Sequence, residues 1–588
     1  MDMSIRSGPA RVLLAVEAVL ATGLVIWSAI GDARGSYALL GCVAVGLLAG
    51  LRPVRNYFHT RWRRAQFDLR RVRRDPHDVV TRAFDVPLPN RSRRDGVTEQ
   101  MGARWVDDTL ITMLGIHADL TVPTTLTCSG VVPDYAGQTL TMCTIANCLN
   151  TFDISVDSVD LVSHGRRTAG PGHIARIYHA TLGPLPAVAD RVTFLVIRLR
   201  PADFADAVAR RGGGSVGAVR AAVVTTRRIT AALNDAGIAA SILTARQITN
   251  ATMFLTDGVP PGASDETWSQ LIHDDTRTRT FAINPADLPK IAASSGWSHD
   301  ALSTTLALRL RPGSQPGLCT GLLRVNEHPT SNRVLGESVS GLVPLPGRQF
   351  EALCATLPVA SASWLDRSLA WAPLPTIGPL QIGGCGQLIG ADGAGRGVAI
   401  ALAAAPAVIV VGQQQCVWQV VSRAVATGMT VTISTDRRGY WDPLVTTVAD
   451  HGALSFDGQP QAYQPSPHLH VVDEIPGMPI QFTDDTADMN VTLLYVFDDV
   501  TRAAQSSVRA TIRLIHDQVS PGYIDLEVAG HRRRVSIVTT PEEWRMFGSR
   551  PATQRAPIRR SPLPISQLPA QREPTPERTS PLPLRPAR

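Results

Sequence analysis

The residues of this chain best suited to chemistry are a glycine run, a pair of histidines and a few thiols. Gly212-Gly213-Gly214-Ser215-Val216-Gly217 satisfies both the GxGxxG dinucleotide pattern and the GxSxG nucleophile pattern. The dinucleotide pattern needs its glycines directly after a strand, so that a tight turn and a helix N-terminus aim amides at a pyrophosphate. Here eleven residues follow Arg200 before the run begins. The nucleophile pattern needs a histidine partner, and the sequence points to none. We therefore read a glycine lead into a helix. Gly412 stands where a nucleotide-binding turn would begin, but Gln413, Gln414 and Gln415 follow it in place of further glycines. There is no P-loop lysine, because the only lysine is Lys290. His468 and His470 alternate along an expected strand and share a face, without a third metal ligand in sight. Cys42, Cys128, Cys143, Cys148, Cys319, Cys354, Cys385 and Cys416 form no CxxC pair and read as reduced, mostly buried thiols. No catalytic set, cofactor site or metal site is expected from these residues.

The charge distribution narrows the choice of partner. The formal net charge is +7 over 588 residues, with 57 Lys and Arg against 50 Asp and Glu. Residues 52–74 hold nine Arg and one Asp (+8), residues 550–588 hold eight Arg and two Glu (+6), and residues 1–51 balance. The remaining body, residues 75–549, therefore carries 7 − 8 − 6 = −7. An acidic body argues against nucleic acid as the main partner.

The elements that would position these groups follow from apolar periodicity. Residues 105–116 read as a strand hairpin or strand pair and residues 192–199 (VTFLVIRL) as a buried strand. A helix is expected over residues 215–236, ended by Gly237, and a further strand over residues 304–310. Both strands close on the same Leu-Arg-Pro triplet, which hints at a structural repeat. Two short strands joined by Asp392-Gly393 come next, then a β-α-β unit over residues 408–434. Later strands are expected at residues 468–472, 491–496, 508–515, 524–528 and 535–538.

Upstream, residues 12–30 and 37–51 are two apolar runs joined by a short turn at Gly31–Gly35, and they predict a transmembrane helical hairpin. Arginines flank both outer ends and only Arg34 lies between, which predicts cytoplasmic termini and a two-helix, multi-pass protein of the cell inner membrane. Gly46 and Gly50 have GxxxG spacing for helix packing. Arg52, Arg55, Arg61, Arg63, Arg64, Arg70, Arg71, Arg73 and Arg74 are expected to meet anionic lipid headgroups.

The resulting expectation is two N-terminal transmembrane helices plus α/β cytoplasmic domains, with a Rossmann-like β-α-β unit in the C-terminal half and a disordered Pro/Arg-rich tail. The divisions read as 1–51 (hairpin), 52–95 (basic segment), 96–270 (first α/β domain), 271–370 (second part of the α/β region), 371–549 (Rossmann-like domain) and 550–588 (tail).

The blocks DRVTFLVIRLRP, AVARRGGGSVGAVRAA and TRRITAALNDAGI, followed by LQIGGCGQLIGADGAGRGVAIAL and VIVVGQQQCVWQVVSRAVATGMTVTIST, resemble the EccE family of type VII (ESX) secretion systems of mycobacteria. The proline- and arginine-rich tail lies outside the resemblance. The resemblance implies a non-enzymatic structural subunit of a core complex for protein export, beside EccB, EccC, EccD and a mycosin protease. The alternative is a membrane-tethered enzyme that binds a nucleotide or nucleotide-sugar at the β-α-β unit around Gly412.

Overall fold

The structure is a computed structural model. It describes residues 81–88, 99–132, 138–151, 153–170, 172–313, 317–328, 339–359, 369–374, 377–448, 450, 452–456, 467–473 and 491–547, with residues 21, 22, 25, 28, 37, 40, 62 and 64–68 upstream. Two large sheets dominate. The first is antiparallel throughout and has eight principal strands: β1 (Phe84–Pro87), β2 (Gln100–Val106), β3 (Thr109–His117), β4 (Ser158–Arg166), β5 (Asp190–Leu199), β6 (Thr276–Ile283), β7 (Ser303–Arg311) and β8 (Leu318–Glu327). Their spatial order is β1-β2-β3-β5-β4-β7-β8-β6, and shorter strands complete the sheet.

Both faces of this sheet are covered, so its strands are buried on both sides rather than alternating between buried and exposed. Leu195, Ile197 and Leu199 of β5 face helix α2 (Gly214–Asp235) through Ala221, Ala222, Ile229 and Leu233. Phe194 and Val196 face the other way, onto α3 (Ala245–Leu255) through Ile248 and Leu255 and onto α4 (Gln349–Ala355) through Phe350 and Leu353. Thr244 starts α3 with a capping box, its side chain accepting from the Gln247 amide while the Gln247 side chain returns to the Thr244 amide.

The second sheet contains β9 (Gln387–Ala391), β10 (Gly397–Ile400), β11 (Ala407–Val411), β12 (Thr430–Thr435), β13 (Leu454–Phe456), β14 (His468–Asp473), β15 (Val491–Phe497), β16 (Ile512–His516), β17 (Tyr523–Val528) and β18 (His531–Ile537). Six strands are parallel, in the order β13-β12-β14-β15-β11-β16. An antiparallel group β17-β18-β9-β10 continues the sheet, and the short strands Thr124–Thr127 and Gly130–Val132 close its edge. Strand β11 is buried on both faces. Val408 and Val410 meet Val417 and Val421 of α5 (Gln414–Ala426), while Ile409 and Val411 meet Ala503 of α7 (Val500–Gln505). Helix α6 (Arg438–Val448) follows β12. Helix α1 (His173–Leu182) joins the two halves, as its Tyr178 Oη accepts from the Leu388 amide at 2.7 Å.

This architecture corrects the expected fold class. The chain is mostly β-sheet, and among the described residues no helix is long and apolar enough to cross a membrane. That finding overturns the expected pair of transmembrane helices and the two-helix inner-membrane placement drawn from it. The physical reason is that an apolar run reports burial without saying in what: runs such as residues 408–411 are buried here between helices. Gly46, Gly50, eight of the nine arginines and the tail 550–588 lie outside the described residues. Arg64 is described, and its guanidinium lies over the Trp268 ring at 5.7 Å, with Phe67 edge-on to the same ring at 5.9 Å.

Candidate functional site

The polar groups of the first sheet gather on the face that meets α3 and α4. Alternation along each strand places Arg104, Asp160, His164, Arg198, Arg309 and Arg324 on that side, and all six are buried. A charge buried without a partner would be prohibitive, so each has one. Arg309 donates to both Asp160 oxygens, at 2.6 and 2.7 Å, and Arg198 Nε donates to Asp160 Oδ2 at 2.9 Å. Burial opposes ionisation of Asp160, but the two guanidiniums outweigh it and hold the carboxyl below its ordinary range. Arg104 and Arg198 also donate to the backbone oxygens of Pro358 and Leu357, which fastens the segment after α4 onto the sheet.

The arginines of the two Leu-Arg-Pro triplets behave alike. Arg200 and Arg311 both approach Asp157, at 3.1 and 3.8 Å, just ahead of β4 and three residues before the Asp160 that Arg198 and Arg309 meet. The repeated Arg-Leu-Arg-Pro is thus read twice by one central strand, β4, which β5 and β7 flank on either side.

A second cluster surrounds Asp257, a non-glycine residue held at φ 53° just after α3. It accepts from Arg166 at 2.6 Å, from His164 Nε2 at 3.3 Å, and from Ser303 and Asn326. Arg324 donates to Thr305 Oγ1 at 2.8 Å, which leaves the Thr305 hydroxyl hydrogen for His164 Nδ1, also at 2.8 Å. A hydroxyl, an imidazole and a carboxylate are therefore in line, the arrangement a nucleophilic enzyme uses. Thr305 and His164 are 1% and 0% exposed, and the adjoining cavity of about 200 Å³ is lined by Arg166, Asp257 and Asn326 but not by Thr305 or His164.

Burial lowers the affinity of His164 for a proton, against the pull of Asp257, and it brings His299 to about 3. Burial and neighbouring His470 lower His468 too. The folded chain keeps these rings neutral, whereas the unfolded chain protonates them below about pH 6.5. Stability is then full above that pH and falls beneath it. The urea midpoint should drop between neutral pH and about pH 5.5, and a flat profile would contradict this.

The motifs singled out in the sequence take structural roles. Gly212, Gly213 and Gly214 all have positive φ and turn the chain between the helix Ala205–Arg210 and α2, so no strand precedes them. A Cβ on Gly217 would lie 2.3 Å from the Val208 oxygen, so this glycine permits close helix packing. His468 and His470 place both ring nitrogens against the hydroxyls of Thr430, Thr432 and Ser434 at 2.9 to 3.2 Å, a hydrogen-bond ladder between β14 and β12. Among the described residues no group of three or more His, Cys, Asp or Glu is placed to hold a metal. At Gly412 a Cβ would meet the Cβ of His516 at 2.6 Å, so the space a phosphate would need is filled, and the nucleotide-enzyme alternative finds no support. Sequence reading missed Asp157 and Asp160. The signal was an acidic residue interrupting an inward-facing apolar run, opposite two copies of Arg-Leu-Arg-Pro.

Comparison with known proteins matches residues 187–283 to a family model described as "Putative type VII ESX secretion system translocon, EccE". The matched segment includes β5, α2, α3 and β6 and supplies Arg198 and Asp257, one member of each buried cluster. The chain is 26% identical over 341 residues to the ESX-1 secretion system protein EccE1 of Mycolicibacterium smegmatis, covering 56% of this chain and 65% of that protein. It is 28% identical over 231 residues to the ESX-5 secretion system protein EccE5 of Mycobacterium marinum, covering 37% and 55%. It is 27% identical over 146 residues to the ESX-2 secretion system protein EccE2 of Mycobacterium tuberculosis, covering 25% and 26%. The chain thus spans less than two thirds of the length of these relatives.

The matched segment of the sheet scaffold and these relatives make the chain similar to type VII secretion components. Within that class, the likeness is to EccE proteins.

Proposed function

We propose that the chain is a non-enzymatic structural subunit of an ESX secretion complex. It stabilises assembly with EccB, EccC, EccD and a mycosin, while an EccC-type ATPase supplies the energy for export. The observation that carries this reading is the overlap between the family-matched segment, residues 187–283, and the scaffold of the first sheet. The ionic groups that the segment gives to the two buried clusters, Arg198 and Asp257, are engaged in holding strands and helices together. Such a body offers partners a rigid surface.

The test is purification of the secretion complex through a tag on this chain. EccB, EccC and EccD should co-purify, and cells lacking the chain should lose assembled complex and secreted substrate together. Recovery of an intact, secreting complex from such cells would overturn the proposal.

A further inference from the structure

The second sheet has an order that the secretion role does not explain. Counting β11, β12, β14, β15 and β16 as first to fifth in the chain, they lie side by side as 5-1-4-3-2, with β13 added at the outer edge. This is the plan of the P-loop nucleotide hydrolases of RecA type. In that plan the loop after the first strand cradles the phosphates, and an aspartate ending the third strand holds the magnesium ion. Ligands of open parallel sheets bind at the carboxyl ends of the strands. The third strand here, β14, ends on Asp473, and the next residue in the sequence is Glu474. The fourth strand, β15, is followed directly by Asp498.

The residues present do not fit a magnesium nucleotide. Only Gly412 and Gln413 join β11 to α5, too few for a phosphate-wrapping loop, and no lysine stands there. The Gly412 amide donates to the Phe497 oxygen at 3.1 Å, and His516 packs against its α-carbon. Between the acidic strand ends lies Arg437. Its Nη1 donates to Asp498 Oδ2 at 2.7 Å, its Nε donates to Asp473 Oδ2 at 3.2 Å, and its Nη2 donates to Asp473 Oδ1. Asp473 is fully buried and also accepts from Thr435 Oγ1 at 2.7 Å and Trp441 Nε1 at 2.8 Å. Hydrogen bonding to Asp473 holds the guanidinium charge still more firmly than usual, so this cation does not leave by titration.

We infer that this sheet has the plan of a nucleotide hydrolase in which the Arg437 guanidinium, lying between Asp473 and Asp498, replaces the metal-bound nucleotide and closes the site. The domain therefore keeps its shape without a ligand. Removing the guanidinium should expose two carboxylates beside Trp441, an oxygen-rich site for a hard cation.

The test uses full-length protein and terbium(III) as the probe, with emission excited through Trp441. Wild type should give no saturable emission, and a saturating excess of Mg-ATP or Mg-ADP should leave its melting temperature unchanged. Arg437→Ala should gain saturable terbium emission, which Arg437→Ala combined with Asp498→Asn should lose. Arg437→Gln, which keeps a hydrogen-bond donor toward Asp473, serves the same purpose if the alanine variant does not fold. Nucleotide-dependent stabilisation of wild type would overturn the inference. So would a folded Arg437 variant that binds no terbium.

Discussion

Replacing Asp160 by Asn should destabilise the first sheet more than any other conservative substitution in it. The carboxylate is 2% exposed and neutralises two guanidiniums, those of Arg198 and Arg309, which are 1% and 3% exposed. Breaking a buried ion pair from one side costs about 3–5 kcal/mol, because the remaining charge stays where water cannot reach it. Here two arginines would be left with an amide, whose NH₂ also repels them. The expected result is a large fall in soluble yield and an earlier urea midpoint. Asp153 provides the comparison, since it pairs with Arg210 and Arg211 at the surface and Asp153→Asn should leave the midpoint unchanged. Equal behaviour of the two variants would mean that the buried cluster contributes no more cohesion than a surface pair. Changing Asp160, Arg198 and Arg309 together to apolar residues should recover part of the loss, because it removes every orphaned charge.

Glu543→Ala should have the second largest effect, confined to the second sheet. Glu543 lies in helix α8 (Pro541–Met546), whose first turn is capped by the Thr540 side chain accepting from the Glu543 amide. Its carboxylate accepts from Arg423 Nε at 2.8 Å, Arg423 Nη2 at 2.9 Å and Gln419 Nε2 at 3.2 Å. Arg423 and Glu543 side chains are 2% and 3% exposed. Without the carboxylate, Arg423 keeps only backbone oxygens such as that of Leu388 at 2.6 Å. A loss of about 3–5 kcal/mol follows from the same one-sided break. A six-residue helix cannot stand alone, so α8 should lose amide protection first, together with the Trp418–Phe547 contact. Hydrogen exchange that stays slow over α8 in the alanine variant would show that apolar packing alone holds the helix.

Much of the local structure could be read from residue order. The run over residues 192–199 forms β5 within Asp190–Leu199, and the helix expected over residues 215–236 is α2, Gly214–Asp235, with Gly237 beyond its end at φ 78°. The Asp392-Gly393 signal joins β9 to β10, and residues 408–434 form strand, helix and strand. Such elements are legible because periodicity and turn chemistry act within a few residues. The resemblance to the EccE family was likewise visible, since it rests on residue order, and the comparisons agree with it. The transmembrane pair was a misreading of the same kind of signal.

What the sequence by itself determined was which segments become strands and helices, where they turn, and which family they resemble. Only the tertiary structure decided which strands lie together. Strands β11 and β12 are consecutive around α5 yet separated in the sheet by β14 and β15, and two copies of Arg-Leu-Arg-Pro over a hundred residues apart converge on one strand. Pairing depends on the burial of both faces at once and on charges finding partners far along the chain. For the same reason Asp160 and Arg437 were unremarkable in the sequence, because a buried charge acquires its role from a partner that folding brings to it.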